Sequence, residues 1–265
     1  MYQLVERKVL SIKGADAFSF LQGLLTQDIT LAAPDKLIYA FALTPQGKIL
    51  FDCFITQTSD NQYLLDLPAF YFTEALAHLQ AYKLRSKVEF IDLSDSYSAA
   101  VSEKADNPEL FPDPRVATLW PRGIVASEKS IAMPDAAKHI YHEQRIIAKI
   151  ADFDADIEPS AFFPAHLGLT DAAVSYNKGC YIGQEVTARL RWQGRSRKKL
   201  YILQLPQGHQ RGTEVLQHNK KVGVLLGGIN TAPSGTPGYM ALAIMRDDLF
   251  NESEEVSLRA NADVI

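Results

Sequence analysis

Helical and strand-like patterns alternate through residues 1–93, and this alternation constrains the fold more than any other feature of the sequence. Apolar residues recur at intervals of three and four over residues 14–29 and again over 70–84, which predicts two helices packed on a core. Between them lie apolar, strand-like runs at residues 37–43, 48–56 and 62–67. The proline and glycine of Thr44-Pro45-Gln46-Gly47 predict a turn between the first two runs. The pattern predicts an α+β unit in which helices cover one sheet.

The rest of the chain divides into two further parts. Residues 94–122 are rich in proline, acidic and turn-forming residues, so we place a boundary at residue 94. Over residues 136–150, Ile140, Ile147 and Ile150 recur at near-helical spacing and predict a third helix. Beyond residue 190, short apolar runs separated by turn signals predict a small β-barrel. We therefore expect three units, at residues 1–93, 94–190 and 191–265.

Composition excludes several classes of protein. The net charge of −4 argues against nucleic-acid binding by the protein as a whole, although a local basic patch is compatible with it. Cys53 and Cys180 are too few for a disulfide framework and too far apart for a metal clip. The amino terminus lacks the pattern of a signal peptide, and no apolar run approaches the ~18 residues that span a bilayer. We expect a cytoplasmic protein without a membrane segment.

Residues 177–197 place a thiol among glycines and cations and are the strongest functional candidate. Lys178 stands two residues before Cys180, and a nearby ammonium favours the reactive thiolate form of a cysteine. Gly179 and Gly183 carry no Cβ, so a ligand or another backbone segment could approach the main chain closely. On spacing alone, Cys180 could equally be a small buried hydrophobic residue.

The run K-G-C-Y-I-G-Q-E at residues 178–185, followed by Thr187-Ala188-Arg189, resembles the signature of the YgfZ family. YgfZ proteins bind folate and act in iron–sulfur cluster assembly or repair, and the resemblance is greatest to the branch that includes the mitochondrial iron–sulfur assembly factor. The resemblance implies an aminomethyltransferase-like folate-binding domain of two subdomains, followed by a carboxyl-terminal barrel. It also implies catalytic roles for Cys180 and Lys178, and cofactor-binding roles for Tyr181, Gln184, Glu185 and Arg189.

Residues 16–28 and 43–52 resemble the folate-binding domain that YgfZ proteins share with aminomethyltransferases. This resemblance implies tetrahydrofolate or a derivative as the cofactor and places Asp52 at the one-carbon centre, where a carboxylate would accept hydrogen bonds from the pterin. The chain departs from the transferases further on, where their glutamate and glycine fall at Ile147 and Lys149. A missing carboxylate there puts aminomethyl transfer in doubt.

The leading hypothesis is a folate-binding accessory protein whose partners are iron–sulfur client or assembly proteins. In this hypothesis the thiol of Cys180 lies at the mouth of one pocket, in which the pterin is bound against Asp52. An aminomethyltransferase is one alternative. A second is a tRNA-directed factor that uses the cations from Arg189 to Lys199 with Trp192, although a charge run is more often a solvated surface.

Several polar residues are expected to have no special role. Arg115 and Arg122 lie among loop-forming residues and should be solvated, with binding of the anionic glutamate tail of folate as the alternative. We predict no metal site, because His139, His142 and Glu143 lack the H-E-x-x-H spacing that places two histidines on one helical face.

Overall fold

The computed structural model describes residues 1–153, 155–192, 196–230 and 238–260. The helices are α1 (Ala17–Leu24), α2 (Phe72–Ala81), α3 (Asp135–Ile147), α4 (Thr170–Ala173) and α5 (Gln184–Trp192). The strands are β1 (Tyr2–Gln3), β2 (Arg7–Lys13), β3 (Ile38–Leu43), β4 (Ile49–Ser59), β5 (Gln62–Pro68), β6 (Glu89–Asp92), β7 (Tyr97–Val101), β8 (Arg122–Ala126), β9 (Ile131–Ala132), β10 (Lys198–Leu205), β11 (Glu214–Gln217), β12 (Lys220–Asn230), β13 (Tyr239–Arg246) and β14 (Ser257–Arg259). No helix in these ranges is long and apolar enough to span a membrane.

The first sheet has the order β3-β4-β5-β2-β6, with antiparallel pairing throughout. Helices α1 and α2 form within the ranges that the apolar periodicity predicts, but both end early. Helix α1 stops at Leu24 because the next residues turn toward the sheet, where the Thr26 amide donates to the carbonyl of Phe41 at 3.0 Å. Helix α2 stops at Ala81, and Leu84 is therefore exposed rather than part of its buried face.

The second sheet has the order β8-β7-β1-β9. Its strand β1 comes from the start of the chain, where Tyr2 pairs with Val101 of β7 and with Ile131 of β9. The amino-terminal residues of the predicted first unit thus contribute to the sheet of the second.

Helix α3 packs beside this second sheet on a face that the sequence did not predict. Ile140 and Ile147 are exposed, whereas Tyr141 and Arg145 are almost fully buried.

The third sheet has the order β10-β13-β12-β11-β14 and is antiparallel. The sequence predicted a small barrel, but the strand pairs within the described ranges form an open sheet whose edge strands are β10 and β14. Strand β13 was missed because its continuous apolar run lacks the alternation typical of a half-buried strand. One face of this sheet joins the main core through Leu226, Leu242 and Ile244.

A chain of buried ion pairs connects the first sheet to the second unit. It alternates aspartate and arginine without a break, and its arginine side chains are 7% exposed or less. Arg115 and Arg122, predicted to be solvated, are both members, so that prediction is wrong. Their charges are stable inside the protein because each guanidinium contacts two carboxylates. In order, the members are Asp52, Arg7, Asp66, Arg122, Asp113, Arg115, Asp152, Arg145 and Asp156.

The last member of this chain, Asp156, lies against the third sheet at Gly227. A Cβ on Gly227 would collide with Asp156 Oδ1 and would lie 3.1 Å from the carbonyl oxygen of Ala155. The register of β12 against β13 shifts just before this point, between Leu225 and Gly228. The third sheet can therefore approach the ion-pair chain this closely only because residue 227 has no side chain.

Replacing Gly227 by alanine is expected to destabilise the protein by about 1–3 kcal/mol, because the added methyl overpacks this contact. Gly23→Ala is the matched control. Gly23 is exposed in helix α1, and a Cβ there would meet nothing within 4 Å. This substitution should be neutral or stabilise by roughly 0.5–1 kcal/mol. Urea unfolding of the two variants measures the difference, and equal stabilities would contradict this account of Gly227.

Candidate functional site

Cys180 lies on the surface, in the segment that leads into helix α5. The side chains on either side point inward, since Lys178 is 9% exposed and Tyr181 is 7% exposed. The interpretation of Cys180 as a small buried hydrophobic residue is therefore wrong. The segment is fixed by its buried neighbours and presents the thiol outward.

Lys178 fixes this segment to the end of helix α1. Its Nζ donates hydrogen bonds to the carbonyl oxygens of Leu25, at 2.7 Å, and Gln27, at 2.8 Å. Burial lowers the pKa of Lys178 to about 8, and its Nζ lies 5.2 Å from the centre of the Tyr181 ring. These contacts give Lys178 a positioning role, while its predicted effect on the thiol of Cys180 stays a prediction.

Two glycines bring the motif against the first sheet. Gly47 lies in the predicted turn between β3 and β4, and Gly183 precedes α5; both have φ of +80°. A Cβ on Gly47 would lie 2.9 Å from Cβ of Val186, and one on Gly183 would lie 2.8 Å from the carbonyl oxygen of Thr44. The turn and the motif therefore pack backbone to backbone, as the missing side chain of Gly183 suggested.

The remaining motif residues line an open groove of about 880 Å³. Tyr181, Gln184, Glu185 and Arg189, predicted to bind the cofactor, are brought together along it. Its other walls come from the turn between β3 and β4 and from Tyr82 of the first unit. Neither Cys180 nor Asp52 is among the described residues that line this groove.

Asp52 lies elsewhere, in the middle of strand β4, with 1% of its surface exposed. Its Oδ1 accepts a hydrogen bond from Arg7 Nη1 at 2.7 Å, and its Oδ2 accepts one from the hydroxyl of Tyr39 at 3.1 Å. The sequence predicted one pocket that joins Asp52 to Cys180. The described part of the chain instead places the carboxylate in the buried ion-pair chain and the thiol on the surface.

A second cavity, of about 320 Å³, lies where the amino-terminal segment, strand β8 and helix α3 meet. Its wall combines two carboxylates, an imidazole, two aromatic rings, an ammonium group and two guanidinium groups. Burial, together with the charge of Arg145, lowers the pKa of His142 to about 4, so the imidazole is neutral at pH 7. The polar and aromatic residues of this wall are Glu6, Arg7, Arg122, Lys138, Tyr141, His142, Asp152 and Phe153.

Sequence reasoning missed Asp152 and judged a carboxylate to be absent from this region. Lys149 has φ of +55°, the region that favours glycine, which agrees with its alignment to the transferases' glycine. Ile147, aligned to their glutamate, is 59% exposed, and the carboxylate at the cavity comes from Asp152. Burial would raise the pKa of Asp152, but Arg145 and Arg115 hold it well below its usual range.

The basic segment after the motif is partly paired with acids. Arg191 contacts Asp171 at 2.9 Å, and Lys199 contacts Asp247 at 2.6 Å. Arg197 lies 3.8 Å from Asp248, and Arg195 falls outside the described residues. This pairing reduces the charge that a tRNA backbone would meet.

The histidines of helix α3 do not form part of a metal-binding cluster in the described structure. No group of three or more histidine, cysteine, aspartate or glutamate side chains in the described ranges is placed to hold a metal ion.

Comparison with known proteins identifies relatives along most of the chain. Residues 5–101 match the family described as the GCVT N-terminal domain. The mitochondrial iron–sulfur cluster assembly factor IBA57 homolog of Mycosarcoma maydis is 30% identical over 74% of this chain and 55% of its own length. Human IBA57 is 29% identical over 76% of this chain and 65% of its own length. An uncharacterized protein of Haemophilus influenzae is 28% identical over 96% of this chain and 89% of its own length.

The chain thus spans little more than half the length of the fungal relatives that it matches. Among solved structures, the glycine cleavage system aminomethyltransferase T of Bartonella henselae superposes with a TM-score of 0.75, at 18% identity, over 99% of this chain and 82% of that one. The predicted aminomethyltransferase-like fold is confirmed. Residues 5–101 thus carry a GCVT N-terminal domain within this fold.

Proposed function

We propose that the protein is a tetrahydrofolate-binding accessory factor in iron–sulfur cluster assembly or repair. The observation that carries the proposal is the exposed thiol of Cys180, on a segment that Lys178 anchors through two hydrogen bonds. The relatives named as iron–sulfur cluster assembly factors support the same role. Iron or a cluster is the cargo of such a factor.

The thiol of Cys180 would act together with ligands from another protein. A conventional iron–sulfur cluster needs four cysteine ligands, and this chain has two cysteines. The other, Cys53, is fully buried, and burial raises the pKa of its thiol well above the usual range. A cluster bound at Cys180 would therefore be shared with a client or assembly protein and would be passed on.

The cavity at Glu6 and Asp152 has the residues that a folate requires. Its volume of about 320 Å³ lies within the usual range for ligand pockets. The carboxylates of Glu6 and Asp152 would accept hydrogen bonds from the amino group and ring N–H of a pterin. The exposed Lys138 would meet the carboxylates of the glutamate tail. When bound, a tetrahydrofolate supplies ring nitrogens that carry one-carbon groups.

Cys180→Ser is expected to leave the fold intact and to abolish support of cluster-dependent enzymes. Compared with a thiolate, a hydroxyl oxygen is a poor ligand for iron and a poor nucleophile. Cys53→Ala is the matched control, since its thiol is buried. Both variants would be assayed by the activities of iron–sulfur enzymes in cells that lack the native protein. Full enzyme activity with Cys180→Ser would contradict the proposed role of the thiol.

Glu6→Gln is expected to weaken tetrahydrofolate binding roughly 10-fold, because a hydrogen bond to a charged group is stronger than one to a neutral amide. Glu109→Gln, which changes an exposed carboxylate paired with Lys129, should bind as the native protein does. Calorimetric titration with tetrahydrofolate compares the two variants. Equal affinities would show that the ligand does not meet Glu6.

A further inference from the structure

Arg7 stands between the cavity and Asp52. Arg7 lines the cavity, whereas Asp52 is not among the described residues that do so. The guanidinium donates from Nη1 to Asp52 Oδ1, from Nε to Asp66 Oδ1 and from Nη2 to the carbonyl oxygen of Asp66. Both oxygens of Asp52 are occupied, one by Arg7 and the other by Tyr39. A ligand in the cavity therefore meets the guanidinium of Arg7 before it can meet this carboxylate.

The inner wall of the cavity consequently offers hydrogen-bond donors. An arginine has five N–H groups, and the hydrogen bonds of Arg7 to Asp52 and Asp66 use three of them. Arg122 lies beside it on the cavity wall, 2% exposed, and donates from Nη2 to Asp66 at 2.5 Å. Within the described ranges of the chain, the buried Nε of Arg122 has no hydrogen-bond partner. An unsatisfied buried N–H is costly, so this wall favours a ligand that brings an acceptor.

We infer that Arg7 is a specificity-determining residue of the cavity. It selects pteridines that present an acceptor, the 4-oxo group, on the edge that faces the inner wall. Pteridines with a donor at that position are rejected. This inference rests on the proposed folate site. It differs from the role that sequence resemblance implied for Asp52, since the carboxylate serves as the counter-ion of Arg7 and not as a direct contact of the ligand.

The chemistry of the pteridine ring provides a direct comparison. A 4-oxo pterin such as tetrahydrofolate presents a carbonyl oxygen, which accepts from a guanidinium. Its 4-amino analogue, tetrahydroaminopterin, carries an amino donor at the same position and also lacks the hydrogen at N3. Variants of Arg7 therefore have to separate the effect of the first change from that of the second. A carboxylate facing the ring would favour the 4-amino compound, whereas a guanidinium favours the 4-oxo compound.

The test is a pair of calorimetric titrations of the native protein with tetrahydrofolate and tetrahydroaminopterin. The native protein should bind tetrahydrofolate more tightly by roughly 10- to 100-fold, since the amino group would leave buried N–H groups unpaired and add a donor–donor contact. Equal affinities, or a preference for the 4-amino compound, would overturn the inference.

Variants at the ion pair then assign the preference to Arg7. Arg7→Met alone would leave the buried carboxylate of Asp52 without its cation, whereas Asp66 would keep Arg122. The double variant Arg7→Met, Asp52→Asn therefore removes both charges of the Arg7–Asp52 pair together. In this variant the affinities for the two compounds should differ by less than about 5-fold. Arg7→Lys keeps a cation and should retain a preference for the 4-oxo compound. Tyr39→Phe, which removes the other hydrogen bond to Asp52, should retain the native preference.

Two outcomes separate this inference from the proposed function. No binding of tetrahydrofolate by the native protein would overturn the folate site and the inference with it. Binding of tetrahydrofolate with an unchanged 4-oxo preference in the double variant would leave the folate site standing and overturn only the role of Arg7. Thermal unfolding of each variant confirms that the titrations report on folded protein.

Discussion

A chain of alternating buried aspartates and arginines determines how the parts of this protein fit together. It begins at Asp52 in the first sheet, passes through Arg122 of the second sheet, and ends at Asp156, against Gly227 of the third. Removing charges from water is expensive, and each member is stable only while its neighbours stay in place. The wall of the cavity at Asp152 is therefore fixed by residues from distant parts of the sequence.

This arrangement separates two functional elements that the sequence placed in one pocket. The proposed ligand cavity lies beside the ion-pair chain, whereas Cys180 lies on the surface, on a segment anchored to helix α1 and packed on the turn at Gly47. In such a protein the bound folate and the thiol need not react with each other directly.

Prediction from the sequence succeeded for features that depend on local patterns. It failed for features that depend on pairing between residues distant in the sequence. The turn at Gly47, the strands of the first sheet and the existence of helix α3 follow from turn chemistry and periodicity. The buried face of α3 does not, because it carries Arg145, whose burial depends on partners outside the helix. Likewise, nothing local reveals that Asp52 pairs with Arg7, 45 residues away. Asp152, which the sequence reasoning missed, belongs to an acidic run just after Ile150. The composition of that run does not show which of its carboxylates lines a cavity.

A crystal structure of the protein with bound tetrahydrofolate tests the central claim most directly. The account predicts the pterin ring in the cavity between Glu6 and Asp152, with the Arg7–Asp52 ion pair intact and the thiol of Cys180 outside the cavity. A pterin bound against Asp52 with Arg7 displaced, or one bound in the groove at Arg189, would contradict it.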